Sequence, residues 1–196
     1  MKMDKNIWGE FKKGNSEATS HIYNRHVQIL YRYGKKITSD SELIKDTIQE
    51  LFLDLIRTRH NLSELDNIQF YLIKAFRRRI LAELKKNTLI EKIEDRTSSS
   101  ELTITYSYEE ELIRKEHQTH REELVQKGLK ALTPKQREIL FYRFTCNFDY
   151  SQICELMSLK YDSARKMTFR ALQSLKQCLS KTDFNFFVLH LQLFAI

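Results

Sequence analysis

The sequence predicts an all-α protein made of two small helical domains joined by a flexible linker, the second a helix-turn-helix. Three observations carry this reading. Gly 4 and Pro 1 among 196 residues leave too few turn formers for a β-sandwich, against a usual share of about 12%. Apolar residues recur at helical spacing along most of the chain. That pattern lapses at residues 91–107, where Thr97-Ser98-Ser99-Ser100 is the most linker-like stretch. The expected domains are therefore 1–90 and 108–182, with a linker at 91–107 and an apolar tail at 183–196.

The first strong helix follows Asn15-Ser16 and carries Ala18, Ile22, His26, Ile29, Tyr33 and Ile37. Ser39 and Glu42 are placed for a capping box at the start of the next. In that helix Ile44, Ile48, Leu51, Phe52 and Leu55 form an apolar stripe, and a different face holds Asp46, Glu50 and Asp54. His60 to Asn67 lacks periodicity and reads as a loop. A helix from Ile68 to about Lys86 buries Ile73, Phe76, Ile80 and Leu84 and shows Lys74, Arg77 and Arg78 on a basic side. One member of the run Arg77-Arg78-Arg79 must turn partly toward the core.

Beyond the linker, a charged helix resumes near Tyr108 with Ile113, His117, His120 and Leu124 in register. Thr133, Pro134 and Gln136 form the sharpest local signal: an N-cap, a proline at the first helical position and a closing capping box. A short helix from about Ser151 to Met157 follows, then a turn at Ser158 to Tyr161. Asp162 is placed to cap the last long helix, which buries Ala164, Met167, Ala171, Leu175 and Cys178.

Charge and composition narrow the function. The net charge is +7, and it divides into +6 over residues 1–90, −3 over 91–132 and +4 over 133–196. Two basic segments around an acidic one suit a polyanion such as nucleic acid. Cys146, Cys154 and Cys178 have no CxxC spacing and read as small buried apolar residues in a reducing cytosol. The six histidines form no ligand set, so no metal or cofactor is expected. The N-terminus has no apolar run, so no signal peptide is expected, and no stretch approaches the roughly 20 apolar residues of a membrane span.

The segment Tyr150 to Leu175 fits a helix-turn-helix. With Ala164 inward, Ser163, Arg165, Lys166, Phe169 and Arg170 point outward. Hydroxyl, guanidinium and ammonium groups on the N-terminal half of such a helix can read base edges and phosphates in a major groove. An ordinary helical hairpin with a solvated basic face has the same pattern.

The run LTPKQREILFYRF followed by DYSQICELMSLKYDSARKMTFRALQSL resembles the fourth conserved region of bacterial sigma factors. Trp8, Phe11, Gly14, Ala18, Ile22-Tyr23 and Leu30-Tyr31 resemble the opening of the second region, and Asp46-Thr47-Ile48-Gln49-Glu50-Leu51-Phe52 resembles its polymerase-binding motif. The resemblance covers roughly residues 7–87 and 125–180. Two regions and a linker resemble the extracytoplasmic-function (ECF) class of the sigma-70 family, and the wording from Tyr161 to Arg170 looks closest to its iron-citrate-type branch.

The resemblance implies a cytoplasmic, non-enzymatic initiation factor that takes no small-molecule substrate. Asp46, Gln49, Glu50 and Leu53 would dock on the β′ clamp helices of core RNA polymerase. His60, Asn61, Lys74, Arg77 and Arg78 would capture the minus-ten promoter element. Ser163, Arg165, Lys166, Phe169 and Arg170 would contact the minus-thirty-five element, and an anti-sigma factor would be a further partner. The family often has Gly where Ser158 stands and Val or Ile where Ala164 stands. A serine fits that turn if its φ is negative, and Ala164 would leave its packing looser. The alternatives are a stand-alone helix-turn-helix regulator and an adaptor that binds only proteins. Two segments carry further expectations: Glu109-Glu110-Glu111 folding back on a basic domain, and the tail forming an extra helix, or else masking a functional surface or docking an inhibitor.

Overall fold

The computed structural model describes residues 2–94, 128, 130–179 and 183–185, with side chains from residue 6 to residue 86 in the first stretch. The helix expected near Tyr108, the acidic Glu109-Glu110-Glu111 segment and residues 186–196 of the tail lie outside the described residues. The chain divides into two compact units, Met1–Glu110 and Glu111–Ile196. Among the described residues every regular element is helical.

The first unit holds α1 (Lys2–Lys12), α2 (Ser16–Lys35), α3 (Ser41–Thr58), a 3-10 turn (Arg59–Asn61) and α4 (Ile68–Glu94). Helix α1 was legible only as the isolated Trp8 and Phe11. It ends at Lys12, and the turn that follows includes Gly14, whose φ of 90° is open to glycine at little cost. Asn15 then caps α2, its side-chain oxygen accepting from the amides of Glu17 and Ala18 at 2.8 and 3.2 Å. The cap of α3 is Asp40 rather than Ser39. Its carboxylate accepts from the amides of Glu42 and Leu43, both at 3.0 Å, and so competes better for this site than a hydroxyl one residue earlier. Helix α4 runs to Glu94, four residues into the expected linker.

Helix α2 packs on α3 and α4, and α1 packs on α2. Trp8, Leu30, Tyr33, Ile44, Leu72, Ile73, Phe76 and Ile80 are wholly buried. Close approach of α2 to α3 depends on Gly34. A Cβ there would lie 2.7 Å from Cγ2 of Ile44, inside any tolerable contact. Leu84, expected on the buried side of α4, is only half-buried.

The second unit holds α5 (Pro134–Leu140), a five-residue π turn (Phe141–Thr145), α6 (Tyr150–Met157) and α7 (Tyr161–Cys178). The Thr133 capping box forms as read: the Gln136 amide donates to the Thr133 hydroxyl at 3.3 Å, and the Thr133 amide donates to the Gln136 side chain at 2.9 Å. A second box, between Asp149 and Gln152, opens α6 with bonds of 2.8 and 3.1 Å. Its Asp-x-x-Gln spacing is a local pattern of the sequence. Helix α7 begins one residue before Asp162. Its N-cap is Lys160, which makes no side-chain cap bond. Asp162 therefore stands in the first turn, where a carboxylate favours the positive end of the helix dipole.

Ile139, Tyr142, Phe148, Ile153, Ala164, Ala171 and Leu175 form the core of this unit. Cys146 is buried, while Cys154 and Cys178 are half-buried. Glu138, 4% exposed, is a carboxylate inside this core. The Tyr142 hydroxyl donates to it at 2.9 Å, which offsets part of its desolvation. Ser158 ends α6 with a φ of 53°, in the left-handed region. The condition under which a serine fits this turn, a negative φ, is not met. The α6–α7 crossing requires the reversal, and the sequence supplies no glycine for it.

Candidate functional site

On α3 the sequence separates one buried from one exposed face. Ile44, Thr47, Ile48, Leu51, Phe52 and Leu55 are buried. Asp46, Gln49, Glu50 and Leu53 are all exposed. Their spacing, i, i+3, i+4 and i+7, makes them one stripe along the helix. Leu53 is 37% exposed, one of few large apolar side chains so placed. Tyr23 of α2, also exposed, packs edge-on to the Phe52 ring at 4.9 Å. The stripe thus joins two carboxylates, an amide and an apolar tip.

Asp54 does not belong to that stripe. Eight residues beyond Asp46, it lies about 80° round the helix, where it pairs with Arg79 of α4. The Arg79 guanidinium, with Arg57 adding to it at 3.5 Å, holds the Asp54 carboxyl below its ordinary range. Arg79 is the member of the arginine run that turns inward. Lys74 and Arg78 stay exposed and Arg77 is half-buried. Lys74 and Arg78, four residues apart, share a face of α4.

His60 and Asn61 are exposed on the 3-10 turn that precedes the loop. The loop ends at Asn67, whose side chain accepts from the Phe70 amide at 2.9 Å and so opens α4. Trp8 of α1 donates its indole N–H to the Ser63 carbonyl at 2.9 Å, and Lys12 bonds Glu64 at 2.6 Å. No local pattern in the sequence predicts either contact.

In the second unit, Ser163, Arg165, Lys166, Phe169 and Arg170 are all exposed, opposite the buried Ala164, Thr168, Ala171 and Leu175. Phe169 is 60% exposed. A shallow groove of about 440 Å³ runs along this face, lined among the described residues by α7 alone. The residues expected to face outward thus share one surface of one helix, and most of its charge is positive.

Aromatic contacts missed in the sequence stiffen the entrance to this helix. The Arg143 guanidinium lies 5.2 Å from the Tyr150 ring, the Tyr150 and Tyr161 rings meet edge-on at 5.6 Å, and Arg165 lies 6.0 Å from the Tyr161 ring. This alternation of cation and ring spans the α6–α7 turn and restrains Arg165. At the other end of α7, Lys176 lies 5.2 Å from the ring of Phe184, in the helical turn Asp183–Asn185.

Among the described residues no group of three His, Cys, Asp or Glu gathers to hold a metal. No helix there is long and apolar enough to cross a membrane.

Two family models match the chain in succession: Sigma-70 region 2 over residues 22–90 and Sigma-70, region 4 over residues 122–175. Among curated proteins none matches. A solved RsbN-BldN complex contains a chain that is similar at 15% identity, with a TM-score of 0.36, over 88% of this chain and 99% of that one. The two matched regions fall one in each unit, cover more than half of the sequence and include both exposed faces described above. The chain belongs to the sigma-70 family of sigma factors.

Proposed function

We propose that this sigma factor is of the ECF class, binds core RNA polymerase through the first unit and directs it to a bipartite promoter through both. Its possession of regions 2 and 4 around a linker supports the class, and the wording Tyr161 to Arg170 supports the iron-citrate-type branch. It works in the cytoplasm, catalyses no step itself, and leaves RNA synthesis to the polymerase.

The carrying observation is the exposed stripe on α3. A solvated acidic face needs no apolar member. The β′ clamp helices, a basic coiled coil with apolar gaps, would take Leu53 between the ridges and Asp46 and Glu50 against their cations, with Gln49 alongside. The basic face of α7 plays the matching part for the minus-thirty-five duplex: Arg165 and Arg170 at base edges, Lys166 and Ser163 at phosphates, Phe169 at a thymine methyl. On α4, Lys74, Arg77 and Arg78 follow the backbone of the separated strand, while His60 and Asn61 take a flipped minus-ten base. These exposed surfaces also suit capture by an anti-sigma factor that holds the protein off the polymerase.

Co-purification with bacterial core polymerase tests the reading. Wild type should bind, and an Asp46→Lys, Glu50→Lys variant of unchanged helicity should not. Equal binding by both would remove the stripe from the interface. Binding by neither would favour a stand-alone DNA regulator.

A further inference from the structure

The loop from Arg59 to Asn67 is tied to its surroundings at several points. Trp8, wholly buried, lies 5.1 Å from the Phe11 ring and 5.9 Å from the Tyr71 ring, and its N–H holds the Ser63 carbonyl at 2.9 Å. One turn on, Lys12 ties Glu64 at 2.6 Å. Arg59 sits beside Gly14, where an added Cβ would lie 3.3 Å from its Nε, and its Nη1 donates to the Ile56 carbonyl at 2.8 Å. Asn67 anchors the far end on α4. Three consecutive parts of the loop are therefore tied to α1 or to the helix ends, while His60 and Asn61 stay exposed at one edge.

A loop without a ladder of backbone hydrogen bonds loses conformational entropy when it grips a ligand. One held in place beforehand does not, and it discriminates better because a wrong base cannot be met by rearrangement. Charge acts in the same direction. Glu64 is a carboxylate beside a surface that receives a polyanion, and Lys12 neutralises it.

We propose that Trp8 and Lys12 are positioning residues for minus-ten recognition: α1 clamps the loop so that His60 and Asn61 meet the flipped base in a set geometry. The proposal rests on the reading of that loop given above, and it adds an element, α1, to which that reading assigns no part.

The test uses the full chain bound to core polymerase, with single-stranded minus-ten oligonucleotides randomised at the captured positions. The variants are Trp8→Phe, which keeps a ring and loses the N–H, Lys12→Met, and Lys12→Arg as the conservative restoration. Core affinity and thermal unfolding are recorded beside them. Trp8→Phe and Lys12→Met should each reduce the preference for the selected base by about threefold to tenfold, the equivalent of one hydrogen bond or ion contact. Core affinity should not change, and Lys12→Arg should select as wild type. Lys12 is only half-buried and lies outside the wholly buried core, so its variants decide the matter if Trp8→Phe unfolds. Unchanged selectivity in the clamp variants, with selectivity lost in His60→Ala and Asn61→Ala, would overturn the clamp and leave the loop reading intact. Unchanged selectivity in all of them would overturn both.

Discussion

Arg79 of α4 closes on Asp54 of α3, and the bond engages one charge from beside each exposed face. Asp54 lies beside the acidic stripe without joining it, and Arg79 turns away from the basic face. The pair links the helix of the proposed polymerase surface to the helix of the proposed strand surface.

The Asp54 carboxyl is held below its ordinary range, first by its hydrogen bond to Arg79 and then by that cation's charge. A lowered folded-state value means that the stabilisation is complete above the unfolded carboxylate value near ~4 and is lost as pH falls through the folded one. Asp54→Asn should therefore lower Tm at pH 7, and the gap from wild type should close as pH drops below about 4. Thermal unfolding over an acid series reads this directly. A gap that persists undiminished into strong acid would exclude the ion pair as its source.

Gly34→Ala should destabilise the first unit. In an exposed helix the same change would gain about 1 kcal/mol, so the sign is diagnostic. Here the methyl would meet Ile44 at 2.7 and 2.9 Å. The expected loss is about 1–3 kcal/mol, as for other overpacked cores. Urea unfolding of Gly34→Ala, Ile44→Ala and the double variant should show the double costing less than the two singles added.

Ser158→Gly should stabilise the second unit. Serine at a φ of 53° carries a cost of roughly 1–2 kcal/mol that glycine lacks. Glycine loses part of this to its freer unfolded chain, so the expected gain is about 0.5–1 kcal/mol. Chemical denaturation measures it. A loss instead would mean that the Ser158 side chain contributes more than its backbone strain costs.

Arg165→Ala and Lys166→Ala should fail differently. Loss of Arg165 should cost about 1–3 kcal/mol at the matched duplex and relax the preference for one base pair. Loss of Lys166 should weaken all duplexes alike and reduce the salt slope by about 1. Titrations of holoenzyme on matched and mismatched minus-thirty-five duplexes at several salt concentrations separate the two.

Legibility followed the range of the interactions. Ile44, Ile48, Leu51, Phe52 and Leu55 repeat at helical spacing, and all five are buried. The Thr133 box uses residues three apart, and it forms. Ser163, Arg165, Lys166, Phe169 and Arg170 are left outward once Ala164 is inward, as 100° per residue requires. Where two neighbouring residues could each take a role, the sequence did not choose well. Asp40 caps α3 in place of Ser39, and Asp162 sits inside the first turn of α7.

By itself the sequence determined the helices after α1, most of their buried faces and the order of the two regions, because each depends on residues within a few turns of one another. Tertiary structure alone decided which exposed charges remain available. Arg79 is taken up by Asp54, 25 residues away, and the loop at Ser63 is held by Trp8, 55 residues away. Such contacts have no period along the chain. They exist because packing α1, α3 and α4 around one core brings distant side chains within bonding distance, and no local pattern records that juxtaposition.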